Sequence, residues 1–447
     1  MNTPPTVNGL PYLGIYRNIK EDILGYSLDL ANTHGGLVRY KQFGKYGYQV
    51  SEPEYVKHVL QTNAKNYKKP AFDVSRLDQV FKGGLIGVDG DVWTRQRRII
   101  QPQFARKALM QLIPTMIFLS EGLAKKWEGK IGQTINVFEE MGEVLFSIIT
   151  QTMLGISIGE TQKDIAKACN TINEESRNFN LLARLAGKHF PNLPNPANKK
   201  ADDAVSLLHL TVSDIISGRK NSEPKNDLLQ MLMDARDEES GEGYNDLELR
   251  NQIITLMLAG YETSANALTW LWGMLDQYQQ HQNDLLDELK YVLGGRAASE
   301  GDLKNLKLMK AAIEEGMRLY PSVHTFPRES INNDTINGFD ILGGARINIQ
   351  PYVTHRNPDY WPEPEVFNPH RFLGETSKNI HKYAYIPFGG GPRLCIGYHF
   401  AIIEMSILMS ILLPRFKLKL NGYTPIAAAH TTLTELNGMP MQLEVRK

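Results

Sequence analysis

Apolar residues recurring three and four positions apart organise most of the chain, and shorter alternating runs interrupt them at both ends. The alternation in "LVRYKQFGKYGYQVSE", residues 37–52, around Gly44 and Gly47 predicts a β-hairpin. From about residue 91 the period becomes helical, in "VWTRQRRIIQPQF", "KALMQLIPTMIFLSEGLAKKW" and "NVFEEMGEVLFSIITQTML". A single helical pattern then runs over residues 245–278, with Asn245 and Glu248 placed to cap its start. At 1.5 Å per residue it would be roughly 50 Å long, enough to cross a whole domain. A second strand-rich stretch follows at 335–356. Then comes "IGYHFAIIEMSILMSILL", residues 396–413, the most apolar run of the chain. His399 and Glu404 interrupt it, which predicts a buried core helix and not a membrane span. Residues 1–18 form a Pro/Gly-rich lead-in, and "KHFPNLPNPANKK", 188–200, is predicted to be a mobile loop or hinge. Helices dominate, with small sheets beside them.

Composition narrows the function classes. Of 447 residues, 49 are Lys or Arg and 49 are Asp or Glu, a balance that argues against a nucleic-acid partner. Two cysteines exclude a disulfide scaffold and fit a reducing cytoplasm. The start "MNTPPTVNGLPYLG" has no basic segment followed by an apolar one, so no secretory signal is expected.

One cysteine stands in a setting that chemistry explains. "FGGGPRLCIG", residues 388–397, puts Cys395 in a glycine-rich loop, two residues after Arg393 and at the start of the apolar helix. A thiolate is a strong iron ligand, and cations and helix N-termini favour its ionised form. Gly389, Gly390 and Gly391 permit positive φ and close approach of a flat cofactor. Cys169, in a helical pattern without such neighbours, reads as an inert packing residue. Phe388, Gly391, Arg393, Cys395 and Gly397 fit F-x-x-G-x-R-x-C-x-G, which resembles the haem-binding signature of the cytochrome P-450 superfamily. Five fixed positions should match by chance in roughly one chain in ten thousand of this length.

Companion motifs follow in the family's order. "AGYETS", 259–264, resembles the oxygen-activation motif. The resemblance makes Thr263 the hydroxyl at the dioxygen site, Glu262 a carboxylate relaying protons, and Ala259 a small residue against the haem. Gly260 in a helix interior wants a reason, such as a flat ligand pressed on the helix, and Thr263 is placed to bond back to the Ala259 carbonyl. "EEGMRLYP" and "FNPHRF" supply Glu315, Arg318 and Arg371, the family's buried structural network. Trp93 and Arg97 match W-x-x-x-R, whose members, with Arg393 and Arg328, would contact the haem propionates. Phe388, Gly389, Cys395 and Gly397 would complete the cofactor site, with Cys395 the axial ligand of haem b. Arg95 and Arg98 are left over, and they suggest a positive docking patch for an acidic electron carrier.

The resemblance implies the mainly helical P-450 fold as a single domain over 1–447, a helix-rich part and a smaller sheet-rich part around one haem. It implies a monooxygenase that inserts one oxygen atom of O2 into a C–H or C=C bond. Electrons would come from a separate ferredoxin or flavodoxin with its reductase, since no fused flavin reductase is expected. No anchor helix is expected either, so a soluble, cytoplasmic protein of secondary metabolism is the expectation. A peroxide-using or isomerising haem-thiolate enzyme, and a haem sensor or electron carrier, remain as alternatives. By family position, Arg76, Phe81, Met257, Val323, His324, Phe326 and Leu433 would line the pocket. They suggest an apolar ligand such as a fatty acid, terpenoid, steroid, macrolide or peptide.

Overall fold

In the computed structural model, residues 2–70, 81, 83–155, 159–177 and 196–446 are described. The longest element is the helix Asp246–Gln277. Asn245 Oδ1 accepts from the Glu248 N–H at 2.9 Å while Glu248 Oε2 accepts from the Asn245 N–H at 3.1 Å, the reciprocal cap that its sequence predicts. Its first turn is exposed, but from Asn251 to Leu275 it is buried nearly throughout, with Gln252, Thr255, Asn266 and Thr269 buried among its apolar residues. Against it pack Val137–Leu154, capped by Asn136 and stopped by left-handed Gly155, and Lys307–Leu319. The final helix, Tyr398–Leu412, is buried along most of its length. No helix among the described residues is long and apolar enough to cross a membrane.

The main sheet has six strands in the order β1-β2-β3-β9-β6-β4. These are β1 (Thr6–Val7), β2 (Leu37–Gln42), β3 (Lys45–Val50), β4 (Tyr67–Lys68), β6 (Phe326–Ser330) and β9 (Arg346–Ile349). The β2–β3 hairpin is in register from Leu37↔Val50 to Gln42↔Lys45. Its two-residue turn, Phe43 and Gly44, has positive φ at both positions (50° and 75°), as the twist of such hairpins requires. Two-stranded β7 (Asp334–Ile336) and β8 (Phe339–Ile341) complete the strand-rich stretch. Near the C-terminus β5 (Thr134–Asn136) joins β10 (Phe416–Lys419) and β13 (Pro440–Val445) in a second sheet, and β11 (Ala427–Ala429) pairs β12 (Leu433–Glu435).

Two apolar cores result, a large one among the helices and a smaller one under the six-stranded sheet. The loop at 388–397 lies at their seam: Phe388 and Ile396 pack on the helical core, while Ile386 and Tyr383 belong to the other. Most of the expected mobile loop at 188–200 lies outside the described residues. Its last part, from Pro196, is helical and opens the helix Pro196–Lys220.

Candidate active site

The Cys395 loop is closed by the Cys395 N–H donating to the Phe388 carbonyl at 2.9 Å. Gly389 and Gly391 have φ of 73° and 65°, conformations that disfavour a side chain. The glycines also serve the packing behind the loop: a Cβ on Gly391 would collide with the Leu60 carbonyl, and one on Gly390 with the Tyr383 ring. Only Gly389 is open on its Cβ side, where the nearest atom is Phe326 Cζ at 4.0 Å.

The sulfur sits in a mixed field. Burial raises the Cys395 pKa; the backbone N–H groups of Gly397 and Tyr398 and the Arg97 guanidinium pull the other way. Cys395 nevertheless has an accessible surface. The cation opposite the thiol is Arg97, which also donates to the Leu394 carbonyl at 2.9 Å. Arg393, expected in that role from its place two residues upstream, turns instead to Asp89 and stacks on the Trp93 ring at 4.3 Å.

On the long helix, burial picks out one short accessible patch. Between Asn251 and Leu275 every residue is buried except Ala259, Gly260 and Thr263. Thr263 Oγ1 donates to the Ala259 carbonyl at 3.0 Å, as its sequence suggests. Ser322 Oγ donates to the Thr263 carbonyl at 2.7 Å and so ties this patch to the segment running through Phe326 to Arg328. A Cβ on Gly260 would meet Ile149 Cδ1, the far end of a side chain on the neighbouring helix, so packing there gives the glycine a reason of its own besides the expected flat ligand. Glu262 is buried and accepts a hydrogen bond from Thr432 Oγ1 at 2.8 Å.

Beside Trp93 lies a charge cluster that sequence reading only half found. Asp89 accepts from the backbone N–H of Lys69 (3.0 Å) and of Gly90 (2.8 Å) and pairs with Arg393. Burial opposes its ionisation, but those donors hold its pKa below the usual range. Around this one carboxylate stand three cations, Lys69, Arg328 and Arg393. Burial and then the Arg393 charge push Lys69 down to about 7 and Arg328 down to about 10. Arg393 Nη1 is buried without a hydrogen-bond partner. An excess of half-buried cations, of which Lys69 also donates to the carbonyls of Leu85, Ile86 and Val88, with an orphaned guanidinium nitrogen fits a ligand carrying carboxylates, and an accessible thiol is a soft donor suited to iron. The residues thus fit a haem. Lys69 and Asp89 carry no motif; only their position beside Arg393 reveals them.

Behind the loop, Glu315 and Arg318 form a fully buried pair, with contacts of 2.7 and 2.9 Å. Arg371 Nε approaches Glu315 at 3.4 Å without a hydrogen bond, and its Nη2 donates to the Glu363 carbonyl. Arg318 also donates to the carbonyls of His355 (2.8 Å), Pro364 (2.7 Å) and Val366 (3.2 Å). His355, neutral because burial and then Arg318 push it down to about 3, accepts from the Ile386 N–H at 2.8 Å. The chain of bonds therefore ends two residues from Phe388.

The pocket expectations divide. Arg76 lies outside the described residues. Phe81, Val323 and Phe326 are half-buried, whereas Met257 and Leu433 are fully sealed and back the wall instead of lining it. His324 is buried with Nδ1 unpartnered, and burial followed by His430 pushes its pKa down to about 4. Neutral, it reads as a packed residue with one unmet polar atom. The docking patch is overturned: Arg95 pairs with Glu248 at 2.8 Å, and Arg98 with Asp237 at 2.7 Å and Glu239 at 2.6 Å, so neither presents free positive charge. Cys169 is buried, and burial pushes its thiol up to about 12.

A sequence model of the family described as Cytochrome P450 matches residues 4–439. The chain is 30% identical over 437 residues to Protein LUTEIN DEFICIENT 5, chloroplastic, of Arabidopsis thaliana, covering 90% of this chain and 72% of that one. It is 30% identical over 395 residues to cyclooctatin synthase of Streptomyces melanosporofaciens, covering 87% and 84%. To cyclooctat-9-en-7-ol 5-monooxygenase of the same organism it is 28% identical, over 93% and 89%. The fold matches the crystal structure of the cytochrome P450DA heme domain with a TM-score of 0.88 at 21% identity, over 100% of this chain and 99% of that one. By its loop, its charge cluster and these likenesses, the chain belongs to the cytochrome P450 family and is a haem-thiolate monooxygenase.

Proposed function

We propose that this monooxygenase oxidises an apolar small molecule at a C–H or C=C bond, drawing electrons from a separate ferredoxin or flavodoxin and its reductase in the cytoplasm. The observation that carries the reading is the accessible patch of Ala259, Gly260 and Thr263, alone on the buried middle of the long helix. Bound haem, ligated by Cys395, supplies the activation of dioxygen. Everything else falls to the protein. Trp93, Arg97, Arg328 and Arg393, joined by Lys69, would hold the propionates. Thr263 keeps its proton toward the Ala259 carbonyl and leaves its oxygen lone pairs free to accept a hydrogen bond. Glu262, whose Oε1 accepts from Thr432, is the buried carboxylate that would relay protons toward the site. Glu315, Arg318 and Arg371 would hold the loop in place from behind.

The half-buried Phe326, Val323 and Ala259, apolar side chains at expected pocket positions, support an apolar substrate. One relative acts, by its name, on cyclooctat-9-en-7-ol, an unsaturated alcohol. A cyclic terpenoid of low polarity is therefore the first class to try. The purified holoprotein should be titrated with terpenoids, fatty acids and steroids while the Soret band is followed. A saturable shift with cyclic terpenoids, and product formed with ferredoxin, reductase and NAD(P)H, is the expected result. Turnover only with hydrogen peroxide, or shifts confined to polar ligands, would overturn it.

A further inference from the structure

Far along the chain from the Cys395 loop, the helix Gln279–Leu293 and the turn Pro369–Phe372 bring two imidazoles and a carboxylate together. His281 and Asp284 are three residues apart and share one helical face. His281 Nδ1 is 3.6 Å from Asp284 Oδ2, and His370 Nε2 comes from the turn to 3.9 Å from the same oxygen. One ligand atom from each residue lies within 4.8 Å of the other two. These separations are too long for good hydrogen bonds.

Two further observations point to a ligand between them. His281 Nδ1 is buried and has no hydrogen-bond partner. Its ring is held between Tyr278, at 6.4 Å between centroids and 24° from parallel, and Phe367 at 5.8 Å, so the nitrogen cannot easily seek another partner. Asp284 is oriented from the other side: its Oδ1 accepts from Gln280 Nε2 at 2.8 Å, leaving Oδ2 to the imidazoles. Metal-binding carboxylates are commonly fixed in this way by an outer hydrogen bond.

We propose that His281, Asp284 and His370 form a site for a divalent transition metal of the zinc class, separate from the haem. Two imidazole nitrogens and one carboxylate oxygen suit zinc, with bonds of about 2.0–2.2 Å and a fourth position left to water. Magnesium and calcium prefer all-oxygen shells and are not served by this donor set. Tetrahedral bonds of that length set ligand atoms about 3.4 Å apart, so two of the three edges need only small contraction. His370 adjoins Arg371, whose guanidinium faces Glu315. A bound metal would therefore clamp the Arg371 turn to the helix Gln279–Leu293 and stabilise the folded chain, with no part in the reaction.

The test uses holoprotein treated with a chelator, freed of it, and titrated calorimetrically with zinc chloride or magnesium chloride near pH 7.5. The expected result is one zinc ion bound at micromolar concentration, no magnesium binding, a raised thermal midpoint and an unchanged Soret band. His370→Ala and Asp284→Asn, at partly exposed positions, should each weaken zinc binding at least tenfold while keeping full haem content. Absence of saturable zinc binding, or the same affinity in both folded variants, would overturn the proposal. If one variant loses haem, the other and the zinc-dependent midpoint of the unaltered protein still decide.

Discussion

Replacing Arg318 by alanine should do more damage than any single change on the surface. The guanidinium and the Glu315 carboxylate are both fully buried, and removing one partner of such a pair costs about 3–5 kcal/mol because the other charge is left without compensation. Arg318 also satisfies three carbonyls, those of His355, Pro364 and Val366. Leaving a buried acceptor unmet costs about 1–3 kcal/mol, and water entering the gap would recover part of that. The Asn368 N–H and Arg371 remain near Glu315 and soften the loss. The sum is of the order of 5 kcal/mol or more, comparable with the whole stability of many domains. Arg318→Lys keeps the charge but not the planar fork, and should fall between the two. Because unfolding of a cofactor protein is not two-state, the assay is haem bound per soluble chain, together with the urea midpoint for loss of the Soret band. Arg318→Ala should give little soluble protein and almost no haem. If it yields normal haem content and a urea midpoint indistinguishable from that of the unaltered chain, the reasoning about this network is wrong.

Three further outcomes follow from the same geometry. Glu404, on the final helix, accepts from Ser264 Oγ at 2.7 Å, and burial pushes its pKa up to about 8, the Ser264 bond opposing. The folded chain then binds a proton that the unfolded chain releases, so stability should fall as pH rises from about 4.5 to 8 and level off above. Glu404→Gln should flatten that decline, and an unchanged slope would refute the assignment. Gly260→Ala gains helix propensity but strikes Ile149 Cδ1, so a net loss of about 1–2 kcal/mol is expected. Adding Ile149→Val removes the struck methyl and should recover most of it in denaturant melts; additive losses would count against the contact. Lys69→Met removes one of the three half-buried cations, and transfer of haem to apomyoglobin should quicken about tenfold, worth about 1.4 kcal/mol. An unchanged transfer rate would exclude Lys69 from the propionate site.

What the sequence made legible was local or held in motifs. The long helix declared itself by its apolar content and the Asn245–Glu248 cap, and the hairpin by alternation around a two-residue turn. The Cys395 loop and the Ala259–Thr263 turn were readable because a fixed chemistry needs fixed residues at fixed spacing. What escaped depends on which charges meet in space. Lys69 and Asp89 sit in no pattern, yet both converge on Arg393. Arg95 and Arg98 looked like a basic patch because their partners lie about 140 or more positions away, at Asp237 and Glu248. The contact of Gly260 with Ile149 has no signature in the chain, and Met257 and Leu433 were indistinguishable from pocket residues because lining and core are made of the same side chains.

The most direct measurement is the carbon-monoxide difference spectrum of the reduced protein and of Cys395→Ala. A thiolate-ligated haem predicts a Soret maximum displaced far toward the red in the unaltered chain, absent from the variant. A displaced maximum that survives in Cys395→Ala, or one that never forms in haem-loaded wild type, would contradict the account.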